Sequence, residues 1–392
     1  MTAFPRIITA VKGVLFLFFT LIAIGIFLLL TVELFYFRYA FGKCLAYFGC
    51  NIKSKRVIII KYLVIAAIMG LSVAIFTIPG LLALHFLLAA LMTEIACLII
   101  RLITRRSFKL VRFVSSTLIV PLILGISMVV YGYINMHTVV GTEYEIKTEK
   151  TLGRDYKIVF LSDLHAGVSL DYEELGAVCS DISALGADAL FLGGDIVDES
   201  TTKEQMENAF ALLGSVKTTY GVFYVDGNHD IPRQRDETRG SFTAQDLNGA
   251  IEKAGINILR DTVVNLGNDL VLIGHRDASF RGNEEISERE TIENLMANVP
   301  KDKYVILLEH QPREYERAKA AGVNLILSGH THAGQIWPVG IVTTLLASNE
   351  QNYGIETDGD FSAIVSSGIA GWAFPIKTEK HAEYVIVNIT NK

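Results

Sequence analysis

Seven side chains that can bind a divalent cation lie in the second half of this 392-residue chain, within five short motifs. They are Asp163, His165, Asp195, Asn228, His310, His330 and His332. Carboxylate, imidazole and amide groups in this number are enough to hold two divalent ions. Two ions held close together are a device for hydrolysing phosphate esters, because they can activate a water molecule and neutralise the phosphoryl oxygens. The residue types therefore predict a binuclear metal centre.

The strength of this prediction lies in the set of motifs rather than in any single motif. Asp-x-His and Gly-Gly-Asp occur often by chance, whereas Gly-Asn-His-Asp and Gly-His-Thr-His carry more information. The alternative interpretation is that these residues are turn residues and core histidines. Five of the nine histidines fall within these motifs, and this concentration favours a metal centre.

The elements that must position these residues are short buried strands. From about Gly141 onward, short apolar runs alternate with amphipathic helical segments, a pattern typical of an α/β fold. The runs that precede the motifs are residues 157–161, 189–192, 221–225, 304–308 and 325–327. Loops at the carboxyl ends of strands converge on one crevice in such a sheet. We therefore expect five strand ends to bring the ligands to one point.

The five motifs together resemble the calcineurin-like metallophosphoesterase superfamily. The segment 322–336, which contains Gly-His-Thr-His, is similar to a bacterial membrane-associated branch that includes UDP-2,3-diacylglucosamine hydrolase-like phosphoesterases. The resemblance covers about residues 155–390. It implies an α/β (α+β) fold in which two sheets and flanking helices form a four-layer αββα sandwich.

The resemblance also implies how the ligands divide between two metal ions. One ion would be held by Asp163, His165 and His332, and Asp195 would bridge the two ions. The other would be held by Asp195, Asn228, His310 and His330. Oxygen and nitrogen ligands without thiolate suit manganese, iron or zinc.

Two further residues match catalytic positions of the family. His229 corresponds to a histidine that does not bind metal and that would stabilise the transition state or protonate the leaving oxygen. Asp198 matches an acid that orients this histidine. The alternative for Asp198 is an acid at a helix start, beside Ser200 and Thr201.

The chain also departs from the family pattern. Asp226 stands where the family more often has an apolar residue, and it either tunes a metal ligand or is a solvated turn residue. The segment 366–372 lacks an arginine that is often found there. His275 and Arg276 follow a predicted strand and are candidate substrate-binding residues, with a surface loop as the alternative.

The first third of the chain has the composition of a membrane domain. Four apolar segments, residues 14–36, 57–78, 81–100 and 113–133, are each near the roughly 20 residues that a helix needs to cross a bilayer. We expect a transmembrane domain at 1–138, a linker at 139–155 and the catalytic domain at 156–392. Pro79 and Gly80 predict the turn between the second and third segments.

The loops between these segments predict the orientation in the membrane. The first and third loops are basic, and the turn between them carries no charge. The basic residues are Arg38, Lys43, Lys53, Lys55, Arg56, Arg101, Arg105, Arg106, Lys109 and Arg112. Because positively charged loops remain in the cytoplasm, both the N-terminus and the catalytic domain are expected to be extracytoplasmic. We also expect Lys61 and Glu94 to pair inside the membrane, which would lower the cost of burying either charge.

The charge balance separates the two parts and narrows the partners. Residues 1–138 carry a net charge of about +11, and the remaining residues carry about −17. The acidic second part argues against nucleic acid as a partner. The expected partners are the lipid bilayer and a phosphorylated substrate.

Three functions remain open from the sequence. The favoured one is a membrane-anchored phosphoesterase that hydrolyses a phosphomonoester, phosphodiester or pyrophosphate bond in a lipid-linked or cell-envelope substrate. One alternative is a phosphodiesterase for soluble nucleotides or other small phosphoesters. Another is a non-catalytic, membrane-tethered binding module, although such a module has no need of all seven ligands.

Overall fold

The computed structural model describes residues 4–106, 108–230, 241–280 and 288–392, with the side chains of the first helix described at Thr20 and from Ile24 onward. The chain forms two compact units, Met1–Val130 and Tyr131–Lys392.

The first unit is helical. Its elements are α1 (Phe4–Tyr47), α2 (Lys55–Val73), α3 (Ile78–Thr104), α4 (Lys109–Ser116) and most of α5 (Ile119–Met136). In the part of the chain that the structure describes, four helical stretches are long and apolar enough to cross a membrane: Ile24–Tyr47, Lys55–Val73, Ile78–Thr104 and Ile119–Met136. They match the four predicted segments in number, and they support a membrane protein.

The helix boundaries differ from the predicted ones at two turns. The break between α2 and α3 comes before Pro79, because Thr77 caps α3 and its side chain accepts a hydrogen bond from Gly80 N at 3.2 Å. Pro79 lies in the first helical turn, where its missing N–H leaves no hydrogen bond unmade. The predicted segment 113–133 is divided, since α4 ends at Ser116 and α5 begins at Ile119.

The predicted pairing of Lys61 with Glu94 is wrong. Glu94 Oε1 lies 2.5 Å from Lys43 Nζ, which α1 carries in its C-terminal part. The Lys61 ammonium instead lies 4.9 Å from the centre of the Tyr62 ring. The prediction failed because the turn between α2 and α3 lies before Pro79, and because α1 continues far enough to present Lys43.

The second unit contains two six-stranded sheets. The first sheet has the order β1-β12-β2-β3-β4-β5 and the second has the order β10-β11-β9-β8-β7-β6. The strands of the first sheet are β1 (Val139–Thr148), β2 (Tyr156–Leu161), β3 (Ala189–Leu192), β4 (Val222–Tyr224), β5 (Asn257–Ile258) and β12 (Ala382–Asn391). Those of the second are β6 (Thr262–Leu266), β7 (Leu270–Gly274), β8 (Tyr304–Leu308), β9 (Leu325–Ser328), β10 (Gly354–Asp358) and β11 (Phe361–Val365).

Helices cover the outer faces of both sheets. On the first sheet they are α6 (Tyr172–Ala184), α7 (Lys203–Gly214) and α8 (Ala244–Lys253), and on the second they are α9 (Ile292–Met296) and α10 (Tyr315–Ala321). Ile158 and Phe160 of β2 point into the core between the sheets, whereas Val159 and Leu161 pack against the helices. Burial on both faces explains why such strands are continuous apolar runs. The predicted four-layer αββα class is confirmed.

The segment 139–155, which was expected to be a linker, contains a strand. β1 pairs in parallel with β12 over its whole length, from Val139 opposite Ala382 to Thr148 opposite Asn391. It is an edge strand on which Glu143 and Glu145 are exposed, so it lacks the apolar run that marked the inner strands. The chain therefore passes from α5 into the first sheet within a few residues.

The candidate ligands follow strands of both sheets. β2, β3 and β4 lie in the first sheet, and β8 and β9 lie in the second. The sequence suggested strand ends of one open sheet, whereas the ligands come from two sheets that face each other. The crevice is therefore at one end of the sandwich.

Candidate metal centre

Six of the seven predicted ligands form two clusters. One contains Asp163, His165 and His332, and the other contains Asp195, His310 and His330. Within each cluster, one ligand atom from each residue lies within 4.8 Å of the others. The chain thus brings together residues that are up to 169 positions apart, since Asp163 is the first and His332 the last.

Asp195 lies between the two clusters. Its Oδ2 is 3.0 Å from His310 Nε2 and 3.9 Å from His165 Nε2. Its Oδ1 accepts a hydrogen bond from the backbone N–H of His229 at 2.8 Å. One carboxylate is therefore within reach of ligands from both clusters, as a bridging ligand requires.

The backbone is held in an uncommon conformation at most of these ligands. Positive φ angles occur at Asp163 (58°), His165 (43°), Asp195 (52°), His330 (72°) and His332 (48°). Residues other than glycine rarely adopt this backbone region, and each one raises the conformational free energy of the folded state by about 1 kcal/mol or more. Strain concentrated at five ligands indicates that the surrounding fold imposes this arrangement for function.

Two glycines let the loops after β3 and β4 cross closely. Gly194 has a φ of 89°, and a Cβ on it would stand 2.6 Å from Gly227 N. A Cβ on Gly227 would overlap the carboxylate of Asp195. The Gly-Gly-Asp and Gly-Asn-His-Asp motifs therefore need their glycines because the two loops pack backbone against backbone.

Asp230 holds these two loops together, a role that the sequence did not predict. Its carboxylate accepts hydrogen bonds from Asp195 N at 2.7 Å, Gly227 N at 2.8 Å and Val197 N at 3.0 Å. Burial raises the pKa of Asp230 to about 6, and the nearby Asp195 adds to the effect. Asp230 thus fixes the two loops that carry Asp195 and Asn228. Its position directly after Asn228 and His229 was the only signal available in the sequence.

The donor set fits divalent ions. Among the described residues, Asn228 Oδ1 is buried and has no hydrogen-bond partner, as expected for an amide oxygen that awaits a cation. His165 Nε2 and His332 Nε2 face each other at 3.2 Å, and the His332 ring nitrogen also lies 3.6 Å from Asp163 Oδ1. Nitrogen and oxygen lone pairs that converge in a buried pocket are the arrangement that a metal ion satisfies.

Most of these side chains favour the protonation state that a metal ligand needs, which is a neutral imidazole or an ionised carboxylate. Burial lowers the pKa of His330 to about 4 and that of His332 to about 3, so both rings are neutral at ordinary pH. Burial alone would raise the pKa of Asp163, but His332 and His310 bring it below its usual range. His310 differs: burial alone would lower its pKa, but Asp195, together with Asp163, raises it well above its usual value. A metal ion must therefore displace a proton from His310.

His229 is oriented by Glu199 and not by Asp198, which corrects the prediction. His229 Nδ1 lies 2.9 Å from Glu199 Oε2, and its ring lies 5.3 Å from that of His165. Burial tends to lower the pKa of His229, but Glu199 and Asp195 raise it above its usual value. His229 therefore carries its proton to higher pH than an ordinary histidine.

Asp198 instead supports a candidate ligand and its own loop. Its Oδ2 lies 3.6 Å from His165 Nδ1, and its Oδ1 accepts hydrogen bonds from Ser200 N and Ser200 Oγ at 2.7 Å. Burial alone would raise the pKa of Asp198, but His165 and Ser200 bring it down to about 2. The contacts of Asp198 with Ser200 agree with the alternative interpretation, in which it is an acid at a helix start. Glu199, the next acid along the chain, contacts His229.

His275 and Arg276 bond to other residues of the domain, and the structure does not place them at a substrate site. His275 is fully buried, with Nδ1 at 3.2 Å from Glu309 Oε2 and Nε2 at 2.8 Å from the Glu290 carbonyl. Arg276 pairs with Asp261 at 3.0 Å. His275, Glu309 and Glu314 are close enough to form a third cluster, but Arg289 already bonds both glutamates. This cluster is therefore a charge-paired support beside His310.

Asp226 is neither a partner of a ligand nor a solvated turn residue. It is buried and forms a two-point ion pair with Arg260, at 2.6 Å to Nε and 2.7 Å to Nη2. Arg260 also donates to Asn248 of α8 at 3.0 Å. The acid therefore ties the end of β4 to the helical layer.

A buried lysine supports the loop 366–372, in which the family arginine is missing. Lys377 Nζ donates to the carbonyl oxygens of Ser367, of Gly368 at 2.8 Å and of Ala370 at 3.4 Å. The same loop donates from Ala370 N to the Asp163 carbonyl at 3.3 Å. Burial lowers the pKa of Lys377 to about 7. The sequence did not predict this role, because a lysine is usually a surface residue.

Comparisons with known proteins agree with this site. A model of the calcineurin-like phosphoesterase family matches residues 156–334, which include all seven candidate ligands. The chain is 30% identical over 267 residues to an uncharacterized metallophosphoesterase of Aquifex aeolicus, covering 67% of this chain and 96% of that protein. It is 28% identical over 243 residues to an uncharacterized metallophosphoesterase of Helicobacter pylori. That match covers 62% of this chain and 61% of the relative, so it spans about three fifths of the relative's length.

Two further similarities come from a fish. A transmembrane protein with a metallophosphoesterase domain from Danio rerio is 26% identical over 289 residues, covering 70% of this chain and 62% of that protein. The crystal structure of a dimetal phosphatase from Danio rerio covers 60% of this chain and 93% of its own, with 13% identity and a TM-score of 0.38. The chain belongs to the calcineurin-like phosphoesterase family, as the motifs predicted.

Proposed function

We propose that this chain is a membrane-anchored phosphoesterase with a binuclear metal centre, which hydrolyses a phosphomonoester, phosphodiester or pyrophosphate bond. The observation that carries the proposal is the meeting of two buried ligand clusters at Asp195. Its Oδ2 lies 3.0 Å from His310 Nε2 and 3.9 Å from His165 Nε2. Family membership supports the same chemistry.

Each cluster would hold one ion. Asp163, His165 and His332 would hold one, Asn228, His310 and His330 would hold the other, and Asp195 would contact both. Bound divalent ions supply an activated water and positive charge for the phosphoryl oxygens. Oxygen and nitrogen ligands suit manganese, iron or zinc.

His229 would deliver a proton to the leaving oxygen. Its Nδ1 faces Glu199, which leaves Nε2 as the nitrogen available for proton transfer. Burial tends to lower the pKa of His229, but Glu199 and Asp195 raise it above its usual value, which favours the protonated ring. A protonated imidazole beside the metal ligands is suited to act as a general acid.

The substrate is proposed to be a lipid-linked or cell-envelope phosphoester, on the outer side of the cytoplasmic membrane. Four candidate membrane helices precede the catalytic unit, and basic residues are concentrated in the first and third loops. Cytoplasmic basic loops would place the catalytic unit outside. Tethering would then keep the enzyme at the membrane plane.

The metal content of the purified full-length chain tests the centre. We expect about two ions per molecule after supply of manganese, iron or zinc, and fewer in Asp195→Asn, because that residue serves both clusters. Asp302→Asn, which changes an exposed surface carboxylate, is the matched control. Retention of at most one ion by the folded wild-type protein would contradict the proposal.

Substrate assays separate the functions that the sequence left open. Release of nitrophenol from a bis-ester or from a mono-ester would identify a diesterase or a monoesterase, and no release from either would favour a binding module. Lipids extracted from cells that carry Asp195→Asn should contain an accumulated phosphorylated lipid. An unchanged lipid pattern, with wild-type activity on soluble nucleotide diesters, would favour the soluble-substrate alternative.

A further inference from the structure

A short helix beyond the last two candidate ligands presents a row of large apolar side chains to solvent. This helix, α11 (Val339–Leu345), begins seven residues after His332. Ile341 and Val342 are 49% and 48% exposed, and Leu345 and Leu346 are 79% and 72% exposed. Residues four apart lie on the same side of a helix, so these four form one face. We call Ile341, Val342, Leu345 and Leu346 the α11 patch.

The opposite side of α11 is fixed to the domain. Gly340 N donates to Glu379 Oε2 at 2.8 Å, and a Cβ on Gly340 would collide with Glu379 and with the carbonyl of Ala333. Thr343 Oγ1 lies 3.3 Å from Asn352 Oδ1 and donates to the Gly340 carbonyl at 3.0 Å. The helix is therefore held with its apolar side outward, and contiguous apolar surfaces of this kind mark interaction sites.

The segment that holds α11 also holds the end of a candidate membrane helix. Lys377 N donates to the carbonyl of Gly132 at 3.0 Å. Asn135 Nδ2 donates to the carbonyl oxygens of Lys377 and Lys380, both at 2.8 Å. Gly132 and Asn135 belong to the last turns of α5, within the same compact unit as α11. Residues 377–380 therefore connect α11 directly to the point where α5 ends.

The last turns of α5 have the character of a membrane boundary. Tyr131, Tyr133 and Ile134 are all exposed there. Tyrosines are enriched where a membrane helix meets the headgroup region. A bilayer crossed by α5 would therefore end close to the segment that supports α11. This holds for either orientation of the chain in the membrane.

We propose that the α11 patch docks on the surface of the lipid bilayer, with its side chains at the boundary between headgroups and acyl chains. A helix with one apolar side and a fixed polar side binds membranes in this way. The bilayer is the partner that the structure favours, because the end of α5, a candidate membrane helix, is bonded to the segment that holds α11.

Trp372 links the segment before α11 to the candidate metal centre. Trp372 is 39% exposed, and its backbone N–H donates a hydrogen bond to Gln335 Oε1 at 2.9 Å. Its ring lies 5.2 Å from that of His229. Docking would then bring the mouth of the site to the membrane. This consequence rests on the proposed function, whereas the docking itself does not.

The two tryptophans of the chain give a direct test, because Trp337 lies two residues before α11 and Trp372 bonds Gln335, four residues before α11. Trp337 precedes the helix, and its backbone N–H donates to Thr378 Oγ1 at 2.9 Å. The full-length chain is reconstituted in phosphatidylcholine vesicles with and without bromine on the acyl chains, and tryptophan fluorescence is measured. We expect bromine to quench the wild-type fluorescence, and the double variant Leu345→Glu/Leu346→Glu to lose about half of the quenching or more.

The matched control is Val263→Glu. Val263 is 41% exposed on β6, at the edge of the second sheet opposite β10, and its variant should be quenched like the wild type. Absence of wild-type quenching, or equal quenching in the double variant, would overturn the proposal. A dimer in detergent that the double variant abolishes, without wild-type quenching, would assign the patch to a second copy of the chain. Wild-type quenching without hydrolysis of any ester would retain the docking and reject the proposed function.

Discussion

At the scale of single residues, the histidines of the centre divide into two groups. Burial keeps His330 and His332 neutral, with pKa values of about 4 and about 3. Carboxylates outweigh burial at His229 and His310 and raise their pKa values. The first group is ready to bind metal, whereas His310 must first lose a proton.

Metal binding should therefore weaken as the pH falls through the raised pKa of His310. The proton on Nε2 competes with the ion, and protonation becomes complete below that pKa. Equilibrium titration of the full-length protein with manganese or zinc at several pH values measures this effect. Metal affinity that does not change with pH would contradict the competition.

Replacement of His229 should separate catalysis from metal binding. In His229→Ala we expect turnover to fall by about 10²-fold or more, because the leaving oxygen loses its proton donor. Metal content should remain normal, since the ring lies outside both clusters. Unchanged turnover would remove His229 from the mechanism.

Replacement of Glu199 should change the pH profile. Glu199 raises the pKa of His229, so Glu199→Gln lowers that pKa and the general acid is deprotonated at a lower pH. The alkaline limb of the rate profile should therefore move to lower pH. Asp198→Asn is the matched variant, and it should reduce metal retention through His165 while leaving that limb in place. The opposite pattern would restore Asp198 as the partner of His229.

The sequence was most informative at this scale where residue type alone decides the chemistry. It predicted seven candidate ligands from their motifs, and six of them converge in two clusters. It could not decide between Asp198 and Glu199, because adjacent residues in a loop can each reach the same histidine. Asp230 and Lys377 were missed because their roles are hydrogen bonds to backbone groups, which leave no pattern in side-chain spacing.

At the scale of elements, the loop 366–372 depends on the lysine beneath it. Lys377→Met would leave three carbonyl acceptors without their donor, and we expect it to lower the free energy of unfolding by about 3 kcal/mol. Thermal unfolding of the full-length chain, followed by the fluorescence of Trp372 and Trp337, measures the loss. Lys380→Met is a control, because that ammonium lies 5.0 Å from the centre of the Tyr353 ring and not among the loop carbonyls that Lys377 binds. Equal stability of both variants would contradict the role of Lys377.

The elements predicted from the sequence were those with a continuous apolar signal. The inner strands β2, β3, β8 and β9 are buried on both faces, so their positions were clear. β1 alternates polar and partly buried residues at a sheet edge, and it was taken for a linker. The division of the strands between two sheets could not be derived, because local pattern does not specify which strands pair over long distances.

At the scale of the whole molecule, the charge asymmetry of the membrane helices predicts the side on which the catalytic unit lies. A protease site inserted between Gly267 and Asn268, in the exposed turn from β6 to β7, should be cut by protease added to intact cells. The same site inserted at residues 51–54, between α1 and α2, should be protected until the membrane is opened. The reverse result would place the catalytic unit in the cytoplasm.

The pairing of β1 with β12 has a consequence for biosynthesis. Val139 emerges directly after the final membrane helix, yet its partner is Ala382, more than two hundred residues later. During synthesis, β1 therefore has no pairing strand until residues 382–391 have been made. During that interval the backbone groups of β1 are unpaired and could pair with another chain. We expect chaperones to bind the nascent protein at this stage.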